Sequence, residues 1–261
     1  MNRQTQAVIM LLFGGSILRA TFTELYLRYV KEGLRPLLIV AGALLVAAAA
    51  MTLWYDLRPS PPHHNEHDNE HDDEHDDGHH DSHDDSQDDG HGHQHHEPKI
   101  GWLLILPALA LLLVAPPALG SYAAGQAGTV LTAQNSDSDY PPLPAGDPAP
   151  ISLLDYASRA VFDAGKSLTG RNLQLTGFIT PGPDGQPILA RIVLTCCAAD
   201  GRPIKVALTG GTPLTVPADT WVNVTGIYTA RTEKDNLNKA TVPYLEVHTW
   251  QEIPTPKQQY E

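Results

Sequence analysis

The residues best suited to chemistry in this chain of 261 residues are histidines and carboxylates crowded into one short segment. Of the 13 histidines and 30 acidic residues, 12 and 14 lie within residues 63–97, which contain no Lys or Arg. Imidazole nitrogens bind zinc, copper, nickel and cobalt ions, and carboxylates add oxygen ligands and a negative potential. We therefore expect several loose, exchangeable divalent-metal sites, whose candidate ligands are His63, His64, His67, His71, His75, His79, His80, His83, His91, His93, His95 and His96.

This His-rich loop, residues 61–98, is a four-residue repeat in which eight of nine tetrads begin with His. Its Asp content, its glycines and its like charges predict a disordered segment when no metal is bound. Catalysis needs ligands in a fixed geometry, whereas a repeat offers interchangeable ones, so metal collection is favoured over a catalytic site. A solvated polar spacer with incidental histidines is the alternative interpretation.

A second chemical feature is the pair Cys196 and Cys197, the only cysteines of the chain, followed by Asp200. Adjacent residues on a strand point to opposite faces, so the two thiols can act together only where the strand bends or ends. Asp200 and Gly201 predict such an end. Three interpretations stay open: a metal or metalloid site built from the thiolates and Asp200, a redox-active vicinal pair, and two structural cysteines.

Long apolar runs place part of the chain in a lipid bilayer. Residues 36–55 and 100–119 are each 20 residues without a charge. At about 1.5 Å per residue, each helix would span about 30 Å of hydrocarbon. Residues 7–26 are a weaker candidate because Arg19 and Glu24 interrupt them; a signal peptide is the rival, but no small-x-small cleavage pattern follows. We expect three transmembrane helices, two within residues 1–60 and one within residues 99–120.

The charges between the first two predicted helices indicate an orientation in the cell membrane. Arg28, Lys31 and Arg35 lie there, and the positive-inside rule places such a segment in the cytoplasm. A multi-pass protein with three spans would then have its His-rich loop outside and its C-terminal domain inside, although Arg3 favours the reverse. No ionisable residue lies near the middle of the two long runs, so any transport path must come from another polypeptide or an oligomer.

The C-terminal part predicts a small all-β domain. Residues 121–150 are rich in Pro, Gly and Ala and predict a semi-rigid linker. Ser152 and Asp155 then predict the start of a short helix that leads a domain of residues 151–261. Apolar alternation predicts five strands at residues 171–180, 188–197, 203–209, 220–230 and 244–253. We favour an OB-like barrel over a sandwich because Gly177 and Gly226 fall inside strands, as at barrel bends.

Several classes of function are excluded by what the sequence lacks. Outside the His-rich loop there are 16 acidic residues against 17 basic ones, and no basic stripe, so we expect no nucleic-acid binding. No P-loop, nucleophile elbow, HExxH or CxxC motif occurs, so we expect no enzyme. No cofactor is predicted beyond a loosely bound divalent metal ion.

The chain resembles the YcgQ-like family of bacterial permease subunits, which combine transmembrane helices with a C-terminal domain of unknown function. The resemblance rests on YLRYVKEGLRPLLIVAGALL (26–45), IGWLLILPALALLLVAPPALGSYAA (100–124), LARIVLTCCAADGRPIKV (189–206) and DTWVNVTG (219–226). The closing PTPKQQYE (254–261) is also part of the resemblance, but no weight is placed on its KQQYE ending, residues 257–261.

The resemblance implies an accessory membrane subunit of a two-component permease, encoded beside a larger multi-spanning subunit and in some genomes near zinc-homeostasis genes. The expected partners are that permease subunit, the lipid bilayer and divalent metal ions, zinc above all. A membrane-anchored metal buffer or sensor without a transport role, or a structural scaffold for a partner permease, are the alternatives.

Overall fold

A computed structural model of the chain contains two structural units, a helical hairpin near the N-terminus and a β-barrel in the C-terminal half. The residues that it describes are 3–57, 117–131, 140–183, 185–211 and 215–261. The His-rich loop with its twelve candidate ligands, and residues 100–116 of the predicted third span, lie outside these ranges.

The helical hairpin consists of α1 (Arg3–Phe22) and α2 (Arg35–Leu57). They are joined by the connector, residues 23–34, which contains the short 3-10 turns Leu25–Arg28 and Glu32–Leu34. The helices approach closely where glycines face the partner helix. A Cβ atom on Gly14 would lie 3.0 Å from the carbonyl oxygen of Gly42, so larger residues there would force the helices apart.

One helix in the described part of the chain is long and apolar enough to cross a membrane. It comprises Glu32–Tyr55, with a mean hydropathy of 2.4. The apolar part of α1, Gln6–Phe22, has only 17 residues, at the lower limit of spanning lengths. The structure therefore offers one clear candidate span where the sequence predicted two, because α1 ends at Phe22 and its apolar part is short.

The β-barrel is closed by five strands: β2 (Leu173–Pro181), β3 (Pro187–Val193), β4 (Arg202–Thr209), β5 (Trp221–Lys234) and β6 (Thr241–Glu252). They neighbour one another in the order β2-β3-β4-β6-β5, and β5 pairs back onto β2. Strands β4 and β6 are parallel, and the other neighbours are antiparallel. The short β1 (Ala149–Pro150) runs parallel to the start of β2. The predicted small all-β, barrel-like domain is confirmed.

The observed strands follow the predicted ones, but the β5-β6 ribbon is longer than expected. Strand β5 was expected to end at Ala230 but continues to Lys234, and β6 begins at Thr241 to pair with it. Residues 230–232 are exposed, and the residues that follow them are polar. The apolar alternation that reveals a strand is therefore absent there. The β5-β6 ribbon consequently extends beyond the barrel core.

Glycine marks the bends of the barrel, as predicted. The β5-β6 register shifts between Thr225 and Gly226, and a Cβ atom on Gly226 would collide with the carbonyl oxygen of Glu246. A Cβ atom on Gly177 would lie 2.7 Å from the carbonyl oxygen of Ala190. Because β2 leaves β5 and joins β3 just after Gly177, close backbone approach is needed at that point.

Part of the segment predicted as a linker packs on the barrel. Residues 121–126 form α3 (Ser121–Gln126), and its Ala124 is fully buried. The Asp219 carboxylate accepts hydrogen bonds from the Ser121 amide and hydroxyl, both at 2.6 Å. These contacts anchor the chain to the barrel immediately after the third apolar run.

The leading helix, α4 (Leu153–Phe162), begins where the sequence predicted. The Ser152 hydroxyl accepts a hydrogen bond from the Asp155 amide at 3.0 Å, which caps the helix. Its buried face contributes Leu153, Tyr156 and Ala157 to the main core of the barrel. Gly165, at φ 70°, follows the helix and adopts the left-handed conformation that glycine accommodates.

Candidate metal site

The two cysteines lie in a bent loop, the Cys loop, comprising residues 195–200. Strand β3 ends at Val193, although the alternation predicted a strand through Cys197. The Asp200 carboxylate accepts hydrogen bonds from the amides of Thr195 at 3.1 Å and Cys196 at 2.8 Å. These bonds fold the loop back on itself, so that the Sγ atoms of Cys196 and Cys197 lie 3.5 Å apart. The bend that the two thiols need in order to act together is therefore present.

The Cys loop offers three metal ligands in one place. Ligand atoms of Cys196, Cys197 and Asp200 all lie within 4.8 Å of one another, and no other such cluster occurs among the residues that the structure describes. A tetrahedral zinc ion with Zn–S bonds of about 2.3 Å holds two sulfurs about 3.8 Å apart, close to the observed separation. Cys196 is exposed, whereas Cys197 and Asp200 are half-buried. The donors thus fit a borderline divalent cation with one coordination position open.

Hydrogen bonding sets the protonation of the loop. Hydrogen bonds from the Cys196 thiol and from loop amides lower the pKa of Asp200, so this carboxylate is ionised at neutral pH. The hydrogen bond to Asp200, and then that to Cys197, raise the pKa of Cys196 to about 11. Reactive cysteines have a lowered pKa, so this arrangement disfavours the interpretation as a redox-active pair. A metal ion that binds here must displace the Cys196 proton.

The backbone of the Cys loop pairs with the connector of the helical hairpin. Val30 and Cys197 form an antiparallel bridge. The Lys31 amide donates to the Cys196 carbonyl oxygen at 3.1 Å, and the Ala198 amide donates to the Tyr29 carbonyl oxygen at 2.6 Å. The candidate site therefore lies at the junction of the barrel and the hairpin. Backbone pairing of this kind accepts almost any side chain, so the sequence contains no pattern that predicts it.

Tyr260 joins three parts of the chain at the same junction. Its buried hydroxyl accepts a hydrogen bond from the Leu119 amide at 2.8 Å and donates one to the Arg28 carbonyl oxygen at 2.8 Å. Arg28 belongs to the connector, and Leu119 is the last residue of the third apolar run. A single hydroxyl therefore holds the connector, residue 119 and the barrel together.

Glu261 fixes the neighbouring end of α4. Its carboxylate accepts hydrogen bonds from the amides of Leu153 and Leu154, both at 2.9 Å, and lies 3.5 Å from the Arg191 guanidinium. An acidic group at a helix N-terminus is favourable because it satisfies free amides and the helix dipole. Residues 257–261, on which no weight was placed, thus contribute two structural anchors that no periodic pattern distinguished.

Replacing Tyr260 with Phe is expected to lower the free energy of unfolding by about 1–3 kcal/mol, because the Leu119 amide loses its partner at a half-buried position. Thermal unfolding of the full chain in detergent measures the effect. The matched control is Tyr122→Phe, whose ring is 81% exposed and which should change stability by less than about 0.5 kcal/mol. Equal effects of the two substitutions would contradict the assignment.

The remaining histidine, His248, is exposed on β6, as expected for a surface side chain. It is not part of the Cys196, Cys197 and Asp200 cluster.

Comparison with known proteins finds a similarity in the barrel domain. No curated protein and no solved structure matches the chain. A family model matches residues 159–261, which include the barrel strands, the Cys loop and Tyr260. This match supports the predicted relation to a family with a C-terminal domain of unknown function. Over residues 159–261 the chain is similar to the DUF1980 C-terminal domain.

Proposed function

We propose that this protein is an accessory membrane subunit of a two-component permease and that it binds a divalent metal ion, zinc above all, at Cys196, Cys197 and Asp200. The observation that carries the proposal is the Cys loop, in which two thiols 3.5 Å apart share a ligand cluster with a carboxylate. The His-rich loop would collect metal ions at weaker sites. We propose further that this subunit belongs to the YcgQ-like permease subunits.

Burial favours a metal-binding role over a structural one for the two cysteines. Structural cysteines usually fill apolar cores, but Cys196 is exposed and Cys197 is only half-buried. The main core of the barrel is filled by other residues, among them Leu173, Leu175 and Val224. Two thiols at an accessible loop, with an open coordination position, suit an ion that must be bound and released.

Exposed apolar surface supports placement in a membrane. The side chains of Leu37, Val40, Leu44 and Met51 on α2 are each more than half exposed. Contact with the hydrocarbon core of a bilayer removes such an apolar helix face from water. In the multi-pass arrangement that we propose, α1 and a third helix within residues 99–120 cross beside α2.

The junction at Tyr260 is consistent with three spans. Arg28, before α2, and Leu119, at the end of the third apolar run, bind the same hydroxyl, so both lie at one end of the hairpin. The connector and the barrel would then share one side of the membrane. Arg28, Lys31 and Arg35 favour the cytoplasmic side, where thiols stay reduced.

A partner permease is proposed because α2 has no ionisable residue between Pro36 and Tyr55, so it cannot itself provide an ion path. We interpret the barrel as OB-like because five strands close in a Greek-key order with one parallel pair. Neither nucleic-acid binding nor catalysis is part of the proposal.

Zinc titration of the purified full chain by calorimetry tests the metal site. Wild type should bind one ion tightly and several weakly, and deletion of residues 61–98 should remove only the weak sites. The Cys196→Ser, Cys197→Ser double variant should lose the tight ion and keep the weak ones, because thiolates are the stronger zinc ligands. His248→Gln is the control and should bind as wild type does. A double variant that retains the tight ion would refute the site.

Zinc flux in cells separates the permease subunit from a buffer or sensor. In a strain that lacks only this chain, a permease subunit predicts a changed rate of zinc accumulation. A buffer predicts an unchanged initial rate of zinc accumulation and a smaller amount of bound zinc in the cell. A scaffold with an incidental His-rich spacer predicts that deletion of residues 61–98 leaves zinc tolerance unchanged.

A further inference from the structure

We propose that an ion bound by Cys196, Cys197 and Asp200 strengthens the docking of the barrel on the connector, so that the helical hairpin responds to the metal state of the barrel. This inference rests on the metal site of the proposed function and adds its regulation. In a permease subunit, it would link occupancy of the site to the arrangement of the membrane helices.

The geometry places the metal ligands and the docking contacts in the same five residues. The ligands are the side chains of Cys196, Cys197 and Asp200, and the docking groups are the Cys196 carbonyl and the Ala198 amide between them. A metal ion that holds the three side chains also fixes the backbone torsions of residues 196–200. The carbonyl and the amide are then preorganised for Lys31 and Tyr29 of the connector. Whichever partner binds first bears the entropy cost of ordering the loop, so the second binds more tightly.

The other contacts between the barrel and the connector are weak enough that a bound metal ion can change the strength of docking. The ion pair between Lys257 and Glu24 is 3.0 Å long, but the two side chains are 83% and 51% exposed, and such surface pairs contribute little. A further polar contact is the hydrogen bond from the Tyr260 hydroxyl to the Arg28 carbonyl oxygen. Outside the connector, Ala118 and Leu119 pack against the cluster of Trp221 and Tyr260. The pairing of the Cys loop with the connector is therefore a substantial share of the docking, and a change in it should be measurable.

Lys31 offers a substitution that breaks the coupling and little else. Its backbone has φ −62° and ψ 140°, which are the angles that proline adopts. Lys31→Pro removes the amide that donates to Cys196, and the preceding Val30 is in an extended bridge, as a residue before proline prefers. Lys31→Ala is the matched control because it removes the same charge but keeps the amide.

Coupling is reciprocal, so loss of the docking hydrogen bond must weaken metal binding. In zinc titrations of the full chain in detergent, Lys31→Pro should bind the tight ion about five- to tenfold more weakly than wild type. Lys31→Ala should match wild type within about twofold. In hydrogen exchange, zinc should slow the amides of Lys31 and Ala198 in wild type, and leave them unchanged in the Cys196→Ser, Cys197→Ser double variant.

The outcomes separate the two proposals. If wild type binds zinc tightly while Lys31→Pro binds equally well and zinc protects none of these amides, the coupling is refuted and the metal site stands. If wild type binds no zinc, the proposed metal function fails and the coupling fails with it. Should Lys31→Pro not fold, the hydrogen exchange comparison of wild type with the double cysteine variant decides alone: absence of zinc-dependent protection in wild type overturns the inference.

Discussion

Replacing Asp235 with Ala is expected to lower the free energy of unfolding by about 3–5 kcal/mol, because it leaves a buried charge without its partner. The Asp235 carboxylate lies 3.0 Å from the Lys205 ammonium, and both side chains are less than a tenth exposed. It also accepts hydrogen bonds from the amides of Thr129 at 3.0 Å and Leu237 at 2.9 Å. The substitution therefore removes the counter-charge of Lys205 and the acceptor of two amides, one of which is a contact that holds Thr129 on the barrel.

Urea unfolding of the full chain in detergent, followed by near-ultraviolet circular dichroism, measures this loss. Lys234→Ala is the control, because the neighbouring Lys234 is exposed and its ammonium only donates to the Thr241 hydroxyl. That control should change stability by less than about 0.5 kcal/mol. An Asp235→Ala variant as stable as the control would mean that the ion pair does not hold residues 127–130 on the barrel.

Acid should diminish the effect of the Asp235 substitution. Burial alone would raise the pKa of Asp235, but hydrogen bonds from the Leu237 amide, Lys205 and the Thr129 amide outweigh it and lower that pKa. A carboxyl with a lowered pKa contributes its full stability above the ordinary value of 3.8 and loses it as the pH falls through the folded pKa. The difference between wild type and Asp235→Ala should thus be constant near neutral pH and shrink only in acid below that value.

Deprotonation of the Cys196 thiol alone is expected to raise zinc affinity at the Cys loop by about tenfold per pH unit. Between about pH 6 and 8 this amounts to about a hundredfold. The pKa of Cys196 is raised to about 11, so this thiol is protonated throughout the range and releases a proton when the metal binds. The lowered pKa of Asp200 means that its carboxylate releases none. The slope therefore reports thiol deprotonation.

Competition titrations with a zinc chelator at several pH values test this slope. They are best made on the chain that lacks residues 61–98, because free imidazoles titrate near pH 6.5 and would add their own dependence. In Cys196→Ser the dependence should weaken by about tenfold per pH unit. A wild-type affinity independent of pH would show that Cys196 does not bind the ion.

The sequence by itself determined the elements that depend on local patterns. Apolar alternation revealed the five strands, and Ser152 before Asp155 revealed the start of α4, because both signals act within a few residues. The long uncharged run at residues 36–55 predicted α2 for the same reason. Residue type alone also singled out Cys196, Cys197 and Asp200 as candidate ligands, since thiolates and carboxylates have known metal preferences.

Only the tertiary structure decided how those ligands are arranged and what they contact. The strand through Cys197 was predicted from alternation, but the Asp200 carboxylate ends it early by binding the amides of Thr195 and Cys196. The pairing of Lys31 with Cys196 and the bonds of Tyr260 join residues far apart in the chain. Each of these contacts has at least one partner that is a backbone group, which every residue carries, so the contacts leave no pattern in the sequence. They arise only when the barrel closes and brings the connector, residue 119 and the Cys loop to one place.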